Sequence, residues 1–158
     1  MIKEILEHEF RECYDVMIKT YTAADEKRLA AGGPVRGREN KYEDIYSEWK
    51  AGHMLFGCHP DGKIIGMIRM IHSNYNSCIV KDLAILPEYQ QKGYGREFIE
   101  FAKVKSKELG ANKMDLGFFL DNEPLKRWYE KQGLTLSRIS IHTYDGIQHE
   151  IGIIECDV

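Results

Sequence analysis

Residues Ile79–Arg96 read IVKDLAILPEYQQKGYGR, and the rest of the chain is organised around them. The first half, Ile79–Leu86, is apolar and rich in β-branched residues, which predicts a strand. Pro87 has no N–H for a ladder and disfavours helix at the residue before it, so the strand stops there. Gln90-Gln91-Lys92-Gly93-Tyr94-Gly95 follows, with a helical pattern from Arg96 onward. Glycines at i and i+2 let the backbone turn tightly and approach a ligand without an intervening Cβ. A helix starting there presents unpaired N–H groups and the positive end of its dipole. Strand, glycine turn and helix N-terminus together make a cradle for a pyrophosphate. A dinucleotide fingerprint is disfavoured because Phe98 stands where its third glycine would fall, and no Gly-Lys-Ser/Thr of a Walker loop is present.

At 158 residues the chain fits one domain, residues 1–158, with a substantial core. Hydrophobic residues at 43% and charged residues at 30% mark an ordinary soluble globular protein and exclude a disordered one. Lys+Arg 22 against Asp+Glu 25 leaves a net charge of −3, so nucleic acid is a poor partner. Cys13, Cys58, Cys78 and Cys156 are scattered without a C-x-x-C pair, so no metal site is expected and each reads as a small buried hydrophobe. MIKEILEHEF lacks a long apolar run and no other run reaches membrane-spanning length, so the expectation is a cytoplasmic chain with reduced thiols and no membrane partner.

Outward from the central stretch, Ile2–Leu6 reads as an edge strand. Phe10, Cys13, Tyr14, Met17, Ile18 and Tyr21 have helical spacing in a segment running to about Leu29. Gly32-Gly33-Pro34 breaks that helix, and Val35–Asn40 is a polar connection. Tyr42–Lys50 repeats the spacing, with Gly52 placed as a C-cap. Met54–Cys58 and Lys63–His72 read as strands joined across Asp61-Gly62, a hairpin signal. Ile64–Ile71 is apolar on both parities and is expected to be covered on both faces. Ser73-Asn74-Tyr75-Asn76-Ser77 is a turn cluster. After the glycine turn, Tyr94, Phe98, Phe101, Ala102 and Leu109 form a stripe ending at Gly110, with Lys105 an unexplained irregularity inside it. Lys113–Phe119 is the next strand, giving a βαβ unit with parallel pairing. Asn122 caps a further helix with Pro124 in its first turn and Gly133 at its end. Leu134–Tyr144 and Gln148–Glu155 alternate imperfectly about Asp145-Gly146, a second hairpin signal. The order is β-α-α-β-β-β-α-β-α-β-β. The class is α/β: a mixed sheet of about six or seven strands flanked by about four helices.

Two motifs carry a family resemblance. Gln90-x-x-Gly93-x-Gly95, directly after a strand ending Leu83-Ala84-Ile85-x-Pro87, resembles the acyl-CoA-binding motif of the GNAT N-acetyltransferase superfamily. Asn122-Glu123-Pro124-Leu125-Lys126-Arg127-Trp128-Tyr129-Glu130-Lys131-Gln132-Gly133-Leu134 resembles that superfamily's Asn-x-x-Ala-x-x-x-Tyr-Glu-x-x-Gly-Phe segment, with Leu125 for Ala and Leu134 for Phe. Together they span about a third of the chain. The resemblance implies the GNAT fold and direct transfer of an acetyl group from acetyl-CoA, a co-substrate, to an amine in one ternary complex. It further implies that the backbone of Leu83, Ala84 and Ile85 pairs with the pantetheine arm. Amides across Gln91, Lys92, Gly93, Tyr94, Gly95 and Arg96 would hold the pyrophosphate, Asn122 would contact the coenzyme, and Tyr129 would protonate the departing thiolate. An unperturbed phenol has a pKa of about 10 and can donate at neutral pH.

A proton must also leave the acceptor amine. Asp82 occupies the central-strand position where many members carry an acid and is the candidate base. Gly117, five residues before the motif asparagine, stands where some members carry a glutamate. His72, His142 and a water chain remain open as alternatives. The expected partners are a small-molecule or peptide amine acceptor and, for an assembly, a second copy of the chain. The competing readings are a non-catalytic acyl-CoA-binding sensor module and a kinase-like phosphate binder, the latter lacking any metal-ligand cluster.

Overall fold

The elements form in the predicted order. The structure, a computed structural model, describes residues 1–31, 41–73, 75–144 and 146–158. The Gly32-Gly33-Pro34 break, the Val35–Asn40 connection, Asn74 and Asp145 lie outside the described residues. The strands are β1 (Ile2–Glu4), β2 (Met54–Cys58), β3 (Gly66–His72), β4 (Ser77–Ile85), β5 (Lys113–Phe119), β6 (Thr135–Tyr144) and β7 (Ile147–Asp157). The helices are α1 (Phe10–Ala30), α2 (Tyr42–Lys50), α3 (Tyr94–Glu108) and α4 (Glu123–Lys131). The result is a mixed α/β fold whose 7-stranded sheet has the order β1-β2-β3-β4-β5-β7-β6. The chain forms two compact units, residues 1–70 with 82–98 and residues 71–81 with 99–158, so that β4 and α3 each contribute to both.

In the first unit β1, β2 and β3 pair antiparallel. Phe10, Cys13, Val16 and Met17 of α1 share a core with Ile45, Leu55, Met67 and Ala84, while Tyr14, Ile18 and Tyr21 pack half-buried at its margin. The Trp49 ring of α2 meets Phe10 edge-on at 5.1 Å. Gly66–Met70 are all buried, as expected of a strand covered on both faces. β3 begins at Gly66 rather than Lys63 because the Ile64 N–H donates to Glu12 Oε1 (2.8 Å) and not to a ladder. The Asp61-Gly62 turn therefore sits inside a longer loop, between Cys58 and its register partner Gly66.

In the second unit β4 and β5 pair in parallel from Ser77↔Lys113 to Val80↔Leu116. β5 pairs antiparallel with β7 along its whole length, and β7 with β6. The imperfect alternation of the last hairpin has a local cause. A bulge between Leu136 and Arg138 leaves Ser137 without an opposite residue, so side-chain parity switches there.

The buried residues of α3 are Phe98, Ile99, Ala102 and Ser106. This corrects the predicted stripe: Lys105 lies beside the seam, 3.6 Å from Glu108, and not in it. Ser106 can be buried because its hydroxyl donates to the Ala102 carbonyl at 2.7 Å.

Candidate functional site

The turn after β4 is built by three local devices. Pro87–Tyr89 forms a single 3-10 turn. Gln90 Nε2 donates to the Ile85 carbonyl at 2.8 Å and pins the loop to the end of the strand. Gln91 (φ 59°) and Gly93 (φ 93°) then take left-handed conformations that reverse the chain. The helix starts at Tyr94, two residues earlier than the pattern indicated, and its first bond runs from the Glu97 N–H to the Gly93 carbonyl, 3.1 Å. Gly95 accordingly lies inside the first helical turn, and Gly93 alone of the two carries the left-handed bend. A Cβ on Gly93 would meet nothing within 4 Å, so its glycine is required by φ and not by crowding. The N–H groups of Tyr94, Gly95 and Arg96 have no carbonyl partner within the helix and face the chain reversal. Gln91, Lys92, Gly93 and Arg96 are exposed. The exposed turn carries backbone donors, the positive end of a helix dipole and the cations Lys92 and Arg96, a donor set suited to an anion such as a pyrophosphate.

On β4, Leu83 and Ile85 are half-buried and Ala84 is buried. Asp82, 3% exposed, is enclosed in a polar network of the first unit. Its Oδ1 accepts from the Tyr21 hydroxyl of α1 at 2.6 Å, and its Oδ2 pairs with the Arg69 guanidinium of β3. Arg69 in turn pairs with Glu48 of α2. With both oxygens engaged and almost no exposure, Asp82 is a poor direct acceptor of a substrate proton. Its geometry is that of a tie between β4, β3 and α1. The sequence did carry a signal for this network: Arg69 is the one charge within Ile64–Ile71, a run read as covered on both faces, and a buried guanidinium demands carboxylate partners.

In the second unit Asn122 caps α4, its Oδ1 accepting from the Leu125 N–H at 3.2 Å. Tyr129 is 7% exposed, flanked by Trp128 (ring centroids 5.2 Å) and Phe118 (5.9 Å). Burial pushes its phenol well above the ordinary tyrosine range, which keeps it protonated. Lys103 of α3 donates to the Gln132 carbonyl at 2.6 Å and fixes the C-terminal end of α4.

A model of the acetyltransferase (GNAT) family matches residues 5–134. The chain belongs to the GNAT family. An uncharacterised N-acetyltransferase of Lactobacillus delbrueckii subsp. lactis is 25% identical over 100 residues, covering 59% of this chain and 57% of that relative. The chain thus spans less than two thirds of the length of the curated relative it matches. Solved structures share the fold. The ribosomal-protein-S18-alanine N-acetyltransferase of Escherichia coli has a TM-score of 0.78 at 14% identity, covering 99% of this chain and 92% of that one. Spermidine N-acetyltransferase of Vibrio cholerae, solved with CoA and spermine, has a TM-score of 0.74 at 17% identity, covering 99% and 94%.

Within this GNAT chain the cysteines are poorly suited to nucleophilic work. Cys13, Cys58 and Cys78 are buried free thiols. Burial pushes the Cys13 thiol up to about 12, and also raises Cys78 and Cys156. Gly117 carries no acid, and a Cβ there would lie 3.1 Å from Ile151 Cγ2 and 3.6 Å from Ile153 Cδ1, a fit that needs Ile151 to give by a few tenths of an ångström. His72 and His142 are exposed. Among the described residues no cluster of His, Cys, Asp and Glu could hold a metal ion, and no helix is long and apolar enough to cross a membrane.

Proposed function

We propose that this chain transfers the acetyl group of acetyl-CoA to an amine by direct attack in a ternary complex. The observation that carries the reading is the turn from Gln91 to Arg96, where two left-handed residues lead directly into the N-terminus of α3. In the proposal the amides of Gln91–Arg96 hold the pyrophosphate, with Lys92 and Arg96 adding charge. The backbone of Leu83, Ala84 and Ile85, which lies beyond the register that β4 makes with β5, receives the pantetheine arm as an added strand. Tyr129 gives its proton to the sulfur as the carbon–sulfur bond breaks, a role its protonated, buried phenol supports. Asn122 already caps α4 through Oδ1, so any contact with the coenzyme uses its side-chain NH2. Asp82 acts by holding β4 against β3 and α1.

The acceptor is an amine on a small molecule or peptide. Proteins of this fold include ones named for an alanine of a ribosomal protein and for spermidine, so fold alone leaves the acceptor open. The test is a panel of primary amines with acetyl-CoA, following free thiol and the mass of the acceptor. Acceptor-dependent thiol release with a mass gain of one acetyl group is expected. Tight coenzyme binding without transfer to any amine would favour the sensor-module reading instead.

A further inference from the structure

His149 is a buried histidine of β7 for which the reading above has no use. It stands opposite His142 of β6 in the antiparallel register. Side chains alternate along a strand, so residues 149, 151 and 153 share one face of β7. Ile151 and Ile153 lie opposite Phe119 and Gly117 of β5. Gly117, Phe119 and His149 are therefore on the same face of the sheet. Ring contacts agree: Phe119 meets the imidazole edge-on at 5.5 Å and 82°. Tyr144 stacks on it at 5.5 Å and 22°, and His142 stacks on Tyr144 at 6.2 Å.

These rings hold the imidazole in place. His149 is 8% exposed, yet among the described residues its buried Nε2 has no hydrogen-bond partner. A buried polar atom left in that state is costly, and its persistence in a folded protein calls for a group that completes it. The titratable side chains facing the imidazole are His142 and Tyr144 of β6, while β5 presents the uncharged Phe119. This Nε2, unpartnered among the described residues, lies on the sheet face that carries Gly117 and Phe119.

We propose that His149 Nε2 binds the acceptor amine and takes its proton, an inference that rests on the acetyl-transfer reading. An ammonium acceptor loses two protons on becoming an amide. Nε2 takes the first and passes it to water, restoring the neutral imidazole. The nitrogen–carbon bond then forms as the carbon–sulfur bond breaks. The second proton replaces the one that Tyr129 gives to the sulfur, leaving one amide, one thiol and one free proton.

The test compares two acceptor probes, n-butylamine, which is protonated at neutral pH, and methoxyamine, which is already neutral there. His149→Gln should lower kcat with n-butylamine by about 10²-fold or more while methoxyamine turnover changes by less than about threefold. Coenzyme affinity by calorimetry should stay unchanged. If the Gln variant fails to fold, His149→Ala with added imidazole supplies the same comparison, with recovery of n-butylamine turnover expected. Equal losses on both amines, or no loss on either, would overturn the assignment with acetyl transfer intact. Where the wild type takes neither probe, the panel amine that it acetylates replaces n-butylamine, read below and above that amine's pKa, with the loss in His149→Gln expected only below it. Inertness toward the whole panel would overturn this inference together with the reading on which it rests.

Discussion

Gly93→Val separates a cradle from an ordinary turn. Gly93 has φ 93°, and a Cβ built there meets no atom within 4 Å, so valine adds no clash with the protein. The entire perturbation is backbone strain, because a β-branched residue with positive φ is a true outlier. Holding such a residue in place costs on the order of 1–3 kcal/mol, and valine belongs at the upper end. The segment is exposed, so the chain can relieve that strain by moving the turn. Coenzyme binding must then restore the original turn. About 2–3 kcal/mol at 1.4 kcal/mol per tenfold weakens Kd by roughly 30- to 150-fold. Gly62→Val is the matched control: φ is 77°, nothing lies within 4 Å, and the residue belongs to the β2–β3 loop. Both variants should show similar thermal melts, and only Gly93→Val should lose affinity for acetyl-CoA in calorimetry. A folded Gly93→Val protein binding coenzyme within about twofold of wild type would refute the cradle, since the strain relief of positive φ has nowhere else to appear.

Three further outcomes follow from the other parts of the site. Tyr129→Phe keeps the contacts with Phe118 and Trp128 and removes only the hydroxyl, so kcat should fall by about 10²–10⁴-fold with coenzyme affinity and melting temperature nearly unchanged. Near-normal turnover in a chemistry-limited assay would reduce Tyr129 to a packing residue. Burial raises the Tyr129 pKa, so the group keeps its proton beyond the pH at which a free tyrosine loses it, and kcat should show no alkaline fall below about pH 10. A pH–rate profile in a chemistry-limited assay that turns down well under that value, with the fold intact by circular dichroism, would contradict the donor role. Arg69→Met leaves Asp82 buried without its cation and should cost about 3–5 kcal/mol in urea unfolding, whereas loss of an exposed pair would cost under about 1 kcal/mol.

Local sequence determined the elements and their order. Apolar periodicity marked α1, α2 and α4, the β5 bounds Lys113–Phe119 were read without error, and Asn122 and Gly133 bracketed α4 as capping chemistry requires. The two motifs also made the GNAT family legible, because each depends on residue types at fixed spacing along one continuous segment. What lay beyond sequence was most of what partners distant in the chain set. β3 starts late because Glu12, far upstream, takes the Ile64 N–H. The seam of α3 includes Ser106 and excludes Lys105, a rotation about the helix axis that neighbouring elements impose and the helix pattern alone could not fix. Asp82 looked like a base by position, but Tyr21 and Arg69 close around it from α1 and β3. His149 was one of several histidines until Phe119 and Tyr144 packed on it and left Nε2 without a partner among the described residues. Propensity and spacing act within a few residues, so sequence carries them; burial and hydrogen-bond completion are properties of the assembled packing, and only tertiary structure decides which polar groups are satisfied.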